Sequence, residues 1–177
     1  IEELEIKQTI EEHLPSKSEE KKVSHATAIA AMILNGLGYV NKQLYLTPRF
    51  FEKKATEHLL GSEVKAEYLN KDTLSRTLDA IYDYGVSELY EKVSHKAVTL
   101  LGLTPSTVHL DSTSFHLDGA YKQFQTDDAS KQLTTAEEET PTPIKLIKGY
   151  SRDHHPNLNQ VVLNLMVEHQ AGIPLMM

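Results

Sequence analysis

Over residues 1 to about 103, apolar positions recur three and four apart, the spacing of helices with one buried side. Ile1 to Leu14 predicts a charged, weakly amphipathic helix that Pro15 and Ser16 stop, and a polar linker with Glu19, Glu20, Lys21 and Lys22 follows. Ser24 stands where its hydroxyl can accept an orphan backbone N–H and cap the next helix. Ala26, Ile29, Ala30, Ile33, Leu34 and Leu37 then form one stripe, and Gly38 sits where a left-handed residue closes a helix. Thr47 as cap and Pro48 in the first turn predict a short helix ending near Leu60 and Gly61. Asn70 or Asp72 caps another, which buries Leu74, Leu78, Ile81 and Tyr82 and ends at Gly85. A last helix from about Ser87 puts Leu89, Val93, Ala97 and Leu100 on one face and stops at Gly102.

The period changes at Thr104-Pro105. Thr107 to Phe115 alternates as a strand does, with Val108 and Leu110 on one side and His109, Asp111 and Thr113 on the other. Lys122 to Pro143 is polar and acidic and predicts a mobile loop. Ile144 to Tyr150 is a second strand candidate. Gln160 to Glu168 is the clearest third, with Val161, Leu163, Leu165 and Val167 on one face and Val162 and Met166 behind it. His169 to Gly172 reads as a turn, and Ile173 to Met177 as the start of a fourth strand. The fold class expected is therefore α+β: a helical bundle over residues 1–103, then three or four mainly antiparallel strands of an unfinished mixed sheet over 104–177. The chain has no initiator Met and stops inside a strand whose sheet would be left uncovered, so a truncated chain is expected.

Composition narrows this picture. With 177 residues the chain can form one or two small cores, and 40% hydrophobic with 24% charged residues is ordinary for a globular protein. There are no cysteines, which rules out disulfides and thiolate metal sites and fits a reducing compartment. The longest apolar run, Ala26 to Leu37, falls short of the roughly 20 residues of a membrane span, and no leader pattern is visible; a cytoplasmic protein is expected. The net charge of −7 argues against a general nucleic-acid coat, whose affinity comes from Lys and Arg on phosphates.

Two segments are dense in chemistry. In His109-Leu110-Asp111-Ser112-Thr113-Ser114-Phe115-His116, a carboxylate interrupts an apolar strand. Burial there is costly unless the group binds something, and a divalent ion such as Mg²⁺ takes such oxygens together with water and phosphate. The other reading is an Asp that caps a turn or pairs with a cation. In Gly149-Tyr150-Ser151-Arg152-Asp153-His154-His155-Pro156-Asn157-Leu158-Asn159-Gln160, Arg152 and the histidines could hold phosphates, but residue types alone favour a solvated loop that uses Asp153 and Asn157 as turn formers. Nine histidines raise a zinc site from His109, Asp111, His154 and His155, but no His-Glu-x-x-His spacing supports it. The aromatic stretch Tyr39 to Phe51 suits either base stacking or packing between helices. No nucleophile-elbow or phosphate-loop glycine pattern occurs.

Taken in order, several stretches resemble one family. Leu34-Asn35-Gly36-Leu37-Gly38-Tyr39-Val40, Leu44-Tyr45, Phe50-Phe51, His58-Leu59-Leu60-Gly61, Leu69-Asn70-Lys71-Asp72 and Leu78-Asp79 are similar to the helical N-terminal domain of one branch of the insertion-sequence-four superfamily of DDE transposases. The two chemistry-bearing segments resemble that family's first catalytic strand and its next recognisable block. The likeness runs from about residue 20 to the end. It implies an RNase H-like core in which three carboxylates hold two Mg²⁺ or Mn²⁺ ions for attack on DNA phosphodiesters. Asp111 matches the first carboxylate, as catalytic and metal-holding residue, and the second Asp and the Glu are expected beyond Met177. Arg152, His154 and His155 are the candidate DNA contacts. The resemblance implies an N-terminal fragment of a transposase, inactive alone, whose full-length form is a homo-oligomer on transposon ends and target DNA. The alternative is a non-catalytic DNA-binding or oligomerisation module left from a decayed transposase; a phosphohydrolase complete in this chain is a third reading and needs further ligands within it.

Overall fold

The computed structural model describes residues 2–16, 22–37, 43–119, 146–151 and 154–177. Two compact units divide between Thr104 and Pro105. The first is helical and the second is an antiparallel sheet, an α+β chain.

The helical unit contains α1 (Ile6–His13), α2 (His25–Leu37), α3 (Thr47–Phe51), α4 (Thr56–Leu60), α5 (Lys71–Tyr84) and α6 (Val86–Leu100). Local chemistry sets several of their ends. The Ser24 hydroxyl accepts from the Thr27 backbone N–H at 3.2 Å, and the Asn70 side chain accepts from Thr73 N–H at 3.0 Å. Each such cap is worth about 1 kcal/mol. Gly85, at φ 106°, both ends α5 and precedes α6, a conformation that L side chains rarely adopt. Thr47 does not act as a cap: it lies inside α3, and its fully buried hydroxyl has no partner among the described residues. Gly38, most of the linker, and Tyr39 to Lys42 of the aromatic stretch lie outside the described residues.

Two apolar clusters share α2. Phe51, Leu69 and Leu74, all fully buried, pack with Val23, Ala28, Ala31, Leu60 and Val64. Ile10, Leu14, Ala26 and Leu89 form the other. A helix that serves clusters on more than one side cannot have a single stripe. Its alanines Ala26, Ala28, Ala30 and Ala31 are buried, together with His25, Thr27 and Asn35, while Leu37 is 79% exposed. Polar ties add to the packing. Lys7 Nζ donates to the Leu60 carbonyl at 3.0 Å, and Lys96 Nζ meets Glu5 at 2.8 Å.

On α5 the buried positions are Leu74 and Thr77, with Ile81 partly covered, whereas Leu78 and Tyr82 are exposed. The inward face is thus rotated from the expected one. Thr77 can be buried because its hydroxyl donates to the Thr73 carbonyl at 3.0 Å, one turn back, and so brings no unsatisfied proton into the core.

The second unit is a four-stranded sheet of β1 (Val108–Leu117), β2 (Ile147–Lys148), β3 (Asn159–Glu168) and β4 (Pro174–Met176). All its recorded pairings are antiparallel. β1 pairs with β3 along its whole length, from Val108 opposite Glu168 to Leu117 opposite Asn159. β2 and β4 pair with β3 near its opposite ends. The acidic loop lies outside the described residues.

Candidate functional site

Parity along β1 decides which side chains meet. Directly opposed residues of an antiparallel pair share a face. Asp111 opposes Leu165, His109 opposes Val167 and Thr113 opposes Leu163, so Asp111 sits on the face that carries the apolar row of β3. Leu110, Ser112 and Ser114 oppose Met166, Asn164 and Val162 on the other face. There Ser112 Oγ donates to Asn164 Oδ1 at 2.7 Å, a cross-strand hydrogen bond.

Asp111 is exposed, so the expected cost of burying it does not arise. One carboxylate oxygen accepts from the Ser112 backbone N–H at 2.9 Å; the other has no partner among the described residues. The carboxylate is therefore held in position by its own backbone while an oxygen faces outward, which suits a metal ligand or a cation partner equally. Among the described residues no three His, Asp or Glu side chains come together as a metal-binding group. One carboxylate is too few for the pair of ions that the resemblance implies.

Glu168, an acid of the same sheet, is not a second ligand. It opposes Val108, away from the Asp111 face, and is buried. Its carboxylate accepts from the backbone N–H groups of Gln170, Ala171 and Ile173 at 2.6, 2.7 and 2.9 Å. These bonds, that to Ile173 foremost, hold its pKa below the usual glutamate range against the opposing effect of burial. Its task is to fasten the turn into β4, where Gly172 takes φ 72°.

His154 adopts a left-handed backbone at φ 61°, and its N–H donates to the Ser151 carbonyl at 3.2 Å. Gln160 Nε2 donates to the carbonyls of His155 and Leu158 at 2.9 and 3.1 Å, so a residue of β3 holds the His155 to Leu158 stretch that precedes it. The His155 ring lies 4.7 Å from the His116 ring, centroid to centroid. His116 projects from the face opposite Asp111, near the far end of β1. The structure thus keeps His154 and His155 exposed, pairs His155 with His116, and does not gather them around Asp111 and His109. Arg152 and Asp153 lie outside the described residues. The His116–His155 pairing and the Glu168 anchor escaped the sequence reading, because both depend on strand register and turn geometry; His116 signalled itself only as the last residue of its motif.

A family model described as a domain of unknown function (DUF4277) matches residues 1–95. No curated protein and no solved structure matches the chain. Among the described residues no helix is long and apolar enough to cross a membrane.

Proposed function

We propose that this chain, which belongs to the DUF4277 family, is the leading part of a DDE-type insertion-sequence transposase acting on DNA in the cytoplasm. The observation that carries the reading is the order of its motifs: the helical leader, then Asp111 at the middle of a strand, then Gly149 to Gln160 before the next long strand. The antiparallel β1–β3–β4 pairing supports it, as the opening strands of an RNase H-like sheet. An exposed carboxylate on a regular strand also fits, since a metal ligand must reach both ion and phosphate from a rigid support. In the complete core, Mg²⁺ or Mn²⁺ would activate the nucleophile and steady the leaving oxygen. Asp111 would offer one carboxylate, and Arg152, His154 and His155 would lie against DNA phosphates.

The test uses the full product of the reading frame that encodes this chain. Incubated with transposon-end DNA and Mg²⁺ or Mn²⁺, it is expected to cut the DNA, and Asp111→Ala is expected to abolish cutting without unfolding the protein. Equal cutting by the two would make Asp111 structural and sink the reading. The 177-residue chain alone is expected to leave the same DNA intact.

A second reading is a non-catalytic DNA-binding or oligomerisation module. The 70% and 61% exposure of Leu110 and Val162, on one face of the sheet, favours it. Binding without cutting by both versions of the full product would put it ahead.

A further inference from the structure

The helical unit has a cavity of about 380 Å³ that no part of the transposase reading uses. Three segments build it. The approach to α2 brings Lys22 and its first residue His25, the turn before α5 brings Tyr68, and α5 itself brings Thr73, Arg76 and Thr77. No Asp or Glu is among the described residues that line it, in a chain whose net charge is −7.

The positive charge of the cavity lining comes from Lys22 and Arg76, and neither has an ion pair among the described residues. Lys22 Nζ stands 4.6 Å from the centre of the Tyr68 ring, and Lys65 Nζ stands 6.0 Å from the same ring. A ring face holds an ammonium group in place but does not cancel its charge. Arg76 has no ion pair and no hydrogen bond among the described residues, although Asp72 and Asp79 lie about one turn away along its own helix. Two cations that line one concave site, with no acid in that lining, form a setting that suits an anion. The guanidinium fork matches two oxygens of a phosphate, and the ammonium adds a point charge.

The polar lining is fixed in place. The Thr77 hydroxyl gives its single proton to the Thr73 carbonyl, so the His25 Nδ1 at 3.1 Å must be the donor to Thr77. That chain ties α2 to α5 across the floor. The Thr73 hydroxyl has no partner among the described residues and is partly accessible.

We propose that this cavity is a phosphate-binding site, with Lys22 and Arg76 as its cationic arms, Thr73 as a hydroxyl donor and Tyr68 as its wall. The phosphate chemistry stands on the cavity alone. That the phosphate belongs to a DNA strand rests on the transposase reading.

The test takes the whole 177-residue chain. A short fluorescein-labelled duplex is titrated by anisotropy at several salt concentrations, and inorganic phosphate is titrated while the backbone resonances of Thr73 and Thr77 are followed. With DNA as the source, Lys22→Gln/Arg76→Gln weakens duplex binding about tenfold and makes the salt slope shallower by about two, one for each lost phosphate contact. Lys92→Gln on α6 leaves both unchanged, and Lys22→Arg/Arg76→Lys keeps most of the affinity, which separates lost charge from lost fold. If phosphate moves the two resonances in the parent but not in the Gln variant, while duplex affinity is the same in both, the site holds a free phosphate compound instead. The proposal is overturned if neither probe distinguishes the Gln variant from the parent, or if the parent binds neither. A full-length product that fails to cut DNA, with the cavity still binding the duplex, would sink the catalytic reading and leave the cavity standing.

Discussion

A buried carboxylate is tolerated only when its lone pairs are occupied, and Glu168 occupies them with the backbone N–H groups of Gln170, Ala171 and Ile173. Because those bonds favour the charged form, its folded pKa lies below its unfolded one. The stabilisation is then complete above the ordinary glutamate range and is lost as pH falls through the folded value. The turn into β4 is expected to stay closed at neutral pH and to open in acid below that range. Amide exchange at Gln170, Ala171 and Ile173, followed from neutral to acid pH, reads this directly. Glu168→Gln should exchange fast at those amides already at neutral pH; unchanged protection would remove the carboxylate from the explanation. Asp111 differs because it is exposed and bonded only to its neighbour's N–H. Its replacement by alanine should change the stability of the chain by no more than about 0.5 kcal/mol in urea unfolding. A loss near 2 kcal/mol would mark a structural residue and weaken its assignment as a metal ligand.

At the scale of elements, α5 makes the clearest quantitative case. Leu74 is fully buried and Leu78 is 44% exposed, although the two occupy adjacent turns of one helix. Leu74→Ala should cost about 2–5 kcal/mol and Leu78→Ala well under half of that, both measured by denaturant unfolding. Similar losses at the two sites would mean that the expected apolar stripe, and not the rotated face, is buried. The sequence placed this helix well because Asn70 and Gly85 mark its ends chemically. It did not fix the inward face, since threonine reads as polar until its hydroxyl is seen bonded to the carbonyl one turn back. α2 departs from its apolar stripe for a related reason: apolar periodicity points to the large residues, but a helix between two clusters buries its alanines. The strands were easier. Side chains alternate with a period of two, so the separation of Asp111 from Leu110 and the common face of Val161, Leu163, Leu165 and Val167 could be read by parity. Partners across the chain, such as His155 on His116, needed the register as well.

At the scale of the molecule, the unresolved demand is cover for the sheet. Leu110, Val162 and Ile147 lie on one face, each more than half exposed, and Phe115 on the other face is 51% exposed. Apolar side chains grouped in this way draw partners, and the regular β1–β3 surface offers a flat place to meet them. A second copy of the chain would meet the same need by placing like face on like face, the arrangement of a two-fold dimer. The 177-residue chain is therefore expected to associate as its concentration rises and to bind an apolar dye when dilute. Leu110→Lys/Val162→Lys should abolish the association and lower the dye signal, because a like-charged pair on each face would have to be buried against its copy. Leu78→Lys, on exposed α5 surface, is the control and should change neither. Sedimentation velocity across a concentration series decides the matter. Association that survives the double substitution would move the contact away from this face, and a chain monomeric throughout would overturn the expectation.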